Sequence, residues 1–515
     1  MTPEVSKKGF SMVSDFGQPN KGDAASSPDE RELVRFNFKK RQDGSGLSYL
    51  LDLSAVTKAE VDENKPEKKE EGGPEDSLKS VLNDFASRVM DSANIYRFLN
   101  RLNTDYVSKL LEDKLLPEIK ASGKETAPAD GFEAAYLIHM DVLAAQQEVF
   151  QDIRRSLKTR TSLGSMILLN MTAHYDVLVT DLIRLILKKF PGLMDKSEKT
   201  FTLSDLRRLG SIDDAERQLI DREIDGVMYG SHKSQLEWLQ KHANKEILPY
   251  LRNIPYFCEI FERRNICAHS NQIVNDRYIA NCLKYDFPEE KIQKKGDLLK
   301  IDSKYVSRAS EILLEVGIIS CQIIWRALHR KDKDEILEAD RNLILHANRL
   351  SSSKKFELSS RLLELGYSKF NPSNDLNKRQ MILNHAEALI EMDKLPEAQK
   401  IIKDQDWSSS NIRMRIFSGG VLCNHKEVVS LMKLAKSENS ISPNIYFKSP
   451  AFYNIIKEET FLAEFLTLYA VSAEEFRKKD IMGQQSAIAI SKEDSISSVD
   501  VDEKVSDQES TASPD

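Results

Sequence analysis

The chain has 515 residues and an apolar fraction of 40%, enough to bury sizeable cores and to form two to four domains rather than one. Its formal charge of −7 is concentrated at one end: between residues 481 and 515 eight carboxylates face two lysines, so the rest of the chain is close to neutral. That balance excludes a uniformly basic nucleic-acid coat, and it is compatible with a local basic groove.

Residues 1–30 are polar, rich in small side chains and lack the apolar core of a secretory leader, and they are expected to be disordered. ELVRFNFKK and LSYLLDLS flank RQDGSG, a glycine-containing turn between two strand-like runs, so residues 31–56 read as a β-hairpin appendage. Residues 57–76 combine a charge run with Pro and Gly and have almost nothing to bury, which is the composition of a linker.

From 77 to about 330 the apolar spacing is helical throughout, beginning with Leu78, Val81, Leu82, Phe85 and Val89. Residues 167–190 (ILLNMTAHYDVLVTDLIRLILKKF) are apolar around most of their circumference and predict a central buried helix, ended by Pro191-Gly192. The most apolar stretch, 306–328, carries Arg308, Glu311, Glu315 and Arg326, so no membrane span is expected. The cysteines Cys258, Cys267, Cys282, Cys321 and Cys423 are odd in number, contain no CxxC pair and sit among apolar neighbours. Buried thiols in a reducing cytoplasm are the expectation, not disulfides or zinc ligands.

Beyond residue 335 there is an internal repeat. LILHANRL and ILNHAEAL align His346-Ala347 with His385-Ala386 and Leu350 with Leu389; twelve residues past each alanine lie Ser359 and Ala398. Small residues at two fixed positions are what a closely crossed helix pair needs. This pattern resembles the tetratricopeptide repeat (TPR), with a 39-residue offset and a poorer third unit near Phe417. Residues 335–480 therefore read as TPR-like helix-turn-helix repeats, degenerate after Ser440, that offer a protein or peptide partner a surface. Residues 481–515 read as an acidic disordered tail. His346 and His385 fall on core-like repeat positions and read as buried, hydrogen-bonded residues rather than ligands.

The chemistry-bearing stretch is ERRNICAH, residues 262–269, followed by SNQIVNDRYI. Arg264 and His269 have the form R-x4-H, with a charged pair ahead (Glu262-Arg263), Asn265 directly after the arginine, and a turn leading to Tyr278. Together with the long apolar helix upstream, this resembles the HEPN superfamily over about residues 156–328, a group of helical domains many of which are metal-independent endoribonucleases. Cleaving RNA without a metal requires a proton carrier near neutral pH, the role His269 suits, and a cation for the charge that builds on phosphorus oxygens, which a guanidinium such as Arg264 meets with paired donors. The resemblance implies that Asn265 holds or polarises the site, that Arg263 is a second phosphate contact, and that no cofactor or metal is used.

On an ideal helix residues five apart differ in direction by about 140°, so Arg264 and His269 do not share a face. Either His269 lies past the helix end, or a second copy completes the site; HEPN ribonucleases pair two motifs across a dimer, so a homodimer is expected. His174, on the long helix, reads as structural but near enough to approach the site. Arg154-Arg155, Arg207-Arg208 and Lys294-Lys295 read as solvated faces or as grips on RNA backbone. No P-loop, GxGxxG, GxSxG or HExxH spacing occurs.

The fold expected is therefore all-α, a HEPN-like helical bundle followed by TPR-like repeats. The function expected is toxin-like or antiviral RNA cleavage in the cytoplasm, with the repeats sensing a trigger or a partner. The competing reading is a non-catalytic interaction scaffold in which Arg264, Asn265 and His269 cap a helix end and offset its dipole.

Overall fold

The computed structural model describes residues 33–40, 49–56, 77–126, 135–138, 140–196, 201–438 and 441–469. The segments read as disordered (1–30, 481–515) and as a linker (57–76) lie outside the described residues. Strands β1 (Leu33–Lys40) and β2 (Tyr49–Val56) pair antiparallel with Leu33 opposite Val56 and Lys40 opposite Tyr49. They belong to a unit separate from the helical body.

That body is predominantly helical. Helix α1 (Leu78–Lys109) starts where the Ser77 hydroxyl accepts the Ser80 N–H at 3.1 Å, and its apolar residues at helical spacing, Leu82, Phe85, Ala86 and Val89, are fully enclosed. Helix α2 (Gln147–Lys189) contains the apolar run seen in the sequence but begins about five turns before it. By length and composition α2 could cross a membrane, yet Leu168, Met171, Leu182, Ile183 and Ile186 are sealed inside the bundle. Around α1 and α2 stand α3 (Ile212–Met228), α4 (His232–Ala243), α5 (Ile254–His269), α6 (Asp276–Lys284) and α7 (Ser303–Leu328). Gly317 of α7 is required where three helices converge, because a Cβ there would lie 2.2 Å from the Phe85 ring and 2.9 Å from Leu178.

Three helix pairs follow: α8 (Lys333–Ser352) with α9 (Phe356–Ser368), α10 (Asp375–Glu391) with α11 (Leu395–Lys403), and α12 (Ile412–Val421) with α13 (His425–Ser437). The small residues Ala347, Ser359, Ala386 and Ala398 are all fully buried, and the Ser359 hydroxyl donates to the Ala347 carbonyl at 2.8 Å, which fixes how closely α8 and α9 cross. Each pair turns through a residue in the left-handed region, Lys354, Asp393 and Cys423, with the next N–H returning to a carbonyl five residues back at 2.9 Å in all three. The apolar core does not break at residue 330: one continuous cluster runs from Leu78 through Leu343, Leu362 and Phe370 to Met381, and a second holds the last helices through Tyr446, Phe452 and Phe465.

Candidate functional site

Helix α5 is built on Pro255, which fits an N-terminal turn because its missing N–H would have no partner there. It runs to His269, so the histidine is the last helical residue and does not lie past the end. The Ser270 and Gln272 N–H groups both return to the Ile266 carbonyl, at 2.9 and 3.2 Å, while Asn271 and Gln272 take left-handed backbone angles. Asn275 pins this turn: its Nδ2 donates to the Ser270 hydroxyl at 3.2 Å and its Oδ1 accepts the Tyr278 N–H at 2.9 Å, capping α6.

The inner side of α5 is a polar network. The Glu259 carboxylate accepts from Arg263 Nε at 2.7 Å, from the Tyr278 hydroxyl at 2.7 Å and from the Tyr305 hydroxyl at 2.8 Å. Burial, then the charge of Glu259, pushes both phenols far above their usual range, so they act as donors throughout. Arg263 Nη1 donates to the Lys300 carbonyl at 3.0 Å, and the guanidinium lies 4.0 Å over the Tyr305 ring. Arg263 is only 7% exposed, an orientation at odds with the phosphate contact expected of it. The guanidinium instead ties α5 to α7 and the segment before it, and Glu259 adds α6 through Tyr278.

One residue on, Arg264 faces the other way. Its Nη2 donates to Asp176 Oδ2 of α2 at 3.1 Å, and Asp176 Oδ1 lies 3.0 Å from His232 Nε2 at the start of α4. The imidazole stacks on Phe261 with ring centroids 3.4 Å apart. Burial lowers the His232 pKa, opposed by its hydrogen bond to Asp176 and reinforced by Arg264, so the ring is neutral at neutral pH and donates through Nε2 to the carboxylate. Neither Asp176 nor His232 was singled out in the sequence. Asp176 was detectable as a carboxylate inside an apolar helix, where a charge needs a partner, whereas nothing around His232 distinguishes it.

Asn265 is half-buried, Ala268 and His269 are exposed, and neither the Asn265 nor the His269 side chain has a hydrogen-bond partner among the described residues. At about 100° per residue, Asn265 points about 100° from Arg264 and about 40° from His269. The three therefore sweep one arc of α5 with Asn265 between the others, the Arg264 end is tethered to Asp176, and one chain does not bring Arg264 and His269 together.

His174 does not approach this site. It points about 200° away from Asp176 around α2, bonds Asn170 at 3.1 Å, and has its pKa lowered by burial and by Arg88. Arg155, Arg208 and Lys295 each have a carboxylate neighbour, Asp152, Asp205 and Asp276. His346 and His385 are buried; His385 bonds the Tyr367 hydroxyl at 3.1 Å, but His346 Nε2 has no partner, a correction to the expectation that both are hydrogen-bonded. All five cysteines are free. Among the described residues no group of three or more His, Cys, Asp or Glu is placed to hold a metal ion. Comparison with protein-family models, with curated proteins and with solved structures finds no match to this chain.

Proposed function

We propose that the chain is a HEPN-type endoribonuclease that works as a homodimer, with Arg264, Asn265 and His269 of each copy contributing to the RNA-cleaving site. The observation that carries this reading is the arc at the end of α5. An unpartnered, exposed histidine, a half-buried asparagine beside it and an arginine steered by Asp176 lie along one arc of about 140° at the end of α5, held from below by the buried Glu259 network. A two-fold axis beside that arc would set His269 of one copy against Arg264 of the other, which one helix cannot do alone.

In the reaction the 2′-hydroxyl attacks phosphorus and the bond to the 5′-oxygen breaks, leaving a 2′,3′-cyclic phosphate and a free 5′-hydroxyl. His269 takes the 2′ proton or supplies one to the leaving oxygen. The Arg264 N–H groups not used by Asp176 meet the negative charge on the non-bridging oxygens, and Asn265 orients the scissile phosphate. The three helix pairs, read as TPR-like, supply the surface for a protein or peptide partner.

The test is incubation of the purified protein with total RNA in EDTA, beside His269→Ala. Cleavage to cyclic-phosphate ends by the wild type alone supports the reading. Absence of cleavage by the wild type, or equal cleavage by the variant, ends it. The second reading, a non-catalytic scaffold, is favoured by one observation: Arg264 is already engaged by Asp176. It expects no cleavage and a lower melting temperature on replacing Arg264.

A further inference from the structure

A second feature lies elsewhere. A cleft of about 700 Å³ is framed by the end of α4, the last turn of α7 and the segment after α9. Arg326 lines it near the end of α7, 21 residues or about 30 Å along that helix from Tyr305 of the α5 network. The volume suits a small organic ligand.

Its lining is lopsided in charge: Lys245, Arg326, Arg330 and Lys369 stand against the single carboxylate of Glu246. Lys245, Arg330 and Lys369 are exposed, and no side-chain partner is found for them among the described residues, unlike Arg155 and Arg208 with their aspartates. Three uncompensated cations around one concavity repel one another and focus a positive field into it.

Arg326 adds an independent sign. Its side chain is 10% exposed; Nη2 donates to Asp340 Oδ1 at 2.8 Å and to Gln322 Oε1 at 3.2 Å, while Nε and Nη1 are buried with no acceptor. Buried donors left unpaired are costly, and a guanidinium that its one carboxylate partner leaves partly unsatisfied at the base of the cleft favours an anion there. Tyr250 and Phe370, in edge contact at 6.4 Å, make an apolar wall that phosphates alone would leave uncovered.

We propose that this cleft binds a small phosphate-rich anion of the nucleoside triphosphate class, with Lys245, Arg330 and Lys369 at the rim, Arg326 at the base and the ribose-base portion against Tyr250 and Phe370. Because the cleft joins α4 and α7 to the first helix pair, its occupancy couples the helical bundle to the repeats.

The test is isothermal titration calorimetry of the full chain with ATP and with adenosine. ATP is expected to bind at least tenfold more tightly than adenosine, and the double variant Lys245→Glu/Lys369→Glu to lose at least tenfold in ATP affinity. Arg330→Ala, a milder change at an exposed position, should weaken ATP severalfold with an unchanged melting curve. His269→Ala should bind ATP as the wild type does. No binding of ATP at millimolar concentration, equal affinity for adenosine, ATP affinity unchanged in the double variant or in Arg330→Ala, or loss of binding in His269→Ala would each overturn the proposal.

Discussion

The Glu259 carboxylate and the Arg263 guanidinium, one turn apart on α5, form an ion pair at 2.7 Å with both side chains buried. Desolvating two charges gains little net stability even when they pair well, but removing one partner strands the other in a medium that cannot solvate it. Glu259 also accepts from Tyr278 and Tyr305, so its loss would leave three donors unmatched. Glu259→Ala is therefore expected to destabilise by about 3–5 kcal/mol. Urea denaturation checks this; a loss below about 1 kcal/mol, the scale of an exposed pair, would mean that the network is hydrated.

The left-handed turns of the helix pairs give a prediction of opposite sign. Lys354 has φ +59°, a conformation that costs a residue with a Cβ about 1–2 kcal/mol and glycine almost nothing. The Lys354 side chain is exposed and has no hydrogen-bond or ion-pair partner among the described residues, so Lys354→Gly should stabilise by about 0.5–1 kcal/mol after the extra entropy of the unfolded glycine is subtracted. A melting temperature that falls in Lys354→Gly would show that the turn relaxes out of this geometry in solution.

Part of the acid sensitivity should trace to the repeats. Burial pushes the pKa of His346 and that of His385 down to about 4, with Arg349 adding to the first and Glu397 opposing the second. Both are neutral bases in the fold and titrate near 6.5 when unfolded, so between about pH 6.5 and 4 the unfolded chain holds more protons. Their contribution is complete above about pH 6.5 and is lost on acidification, at about 2 kcal/mol per histidine by pH 5. Denaturation at pH 7 and pH 5 should show His346→Leu with a smaller loss than the wild type. Equal losses would place the acid-sensitive groups elsewhere.

These three cases mark how far the sequence could be read. The buried run in α2 and the small residues Ala347, Ser359, Ala386 and Ala398 were legible because periodicity and side-chain size act locally. The turn residues Lys354, Asp393 and Cys423 were not, since none is the glycine that advertises a left-handed backbone and tertiary packing overrides the preference. Arg263 and Arg264 have identical chemistry, and one step of about 100° sends the first to Glu259 and the second to Asp176. Glu259, four residues before Arg263, was a local clue to the first pairing. The second joins residues 88 apart and depends on how α2, α4 and α5 cross, which no local pattern encodes.

The last prediction concerns assembly and chemistry together. If each site takes Arg264 from one copy and His269 from the other, neither Arg264→Ala nor His269→Ala alone should cleave RNA, each losing about 10²–10⁴ in rate. Stability should move by about 1 kcal/mol or less for His269→Ala, because that side chain is exposed and unpartnered, and somewhat more for Arg264→Ala, because Asp176 loses its cation. Unfolding and refolding the two variants as a mixture gives heterodimers in which one site carries both defects and the other carries neither. Activity should then return to about a quarter of the wild type, since about half the dimers are mixed and each has one intact site of two. Light scattering should report twice the chain mass. A monomer at micromolar concentration, or a dimer whose mixture stays inactive although each variant folds, would remove the shared site.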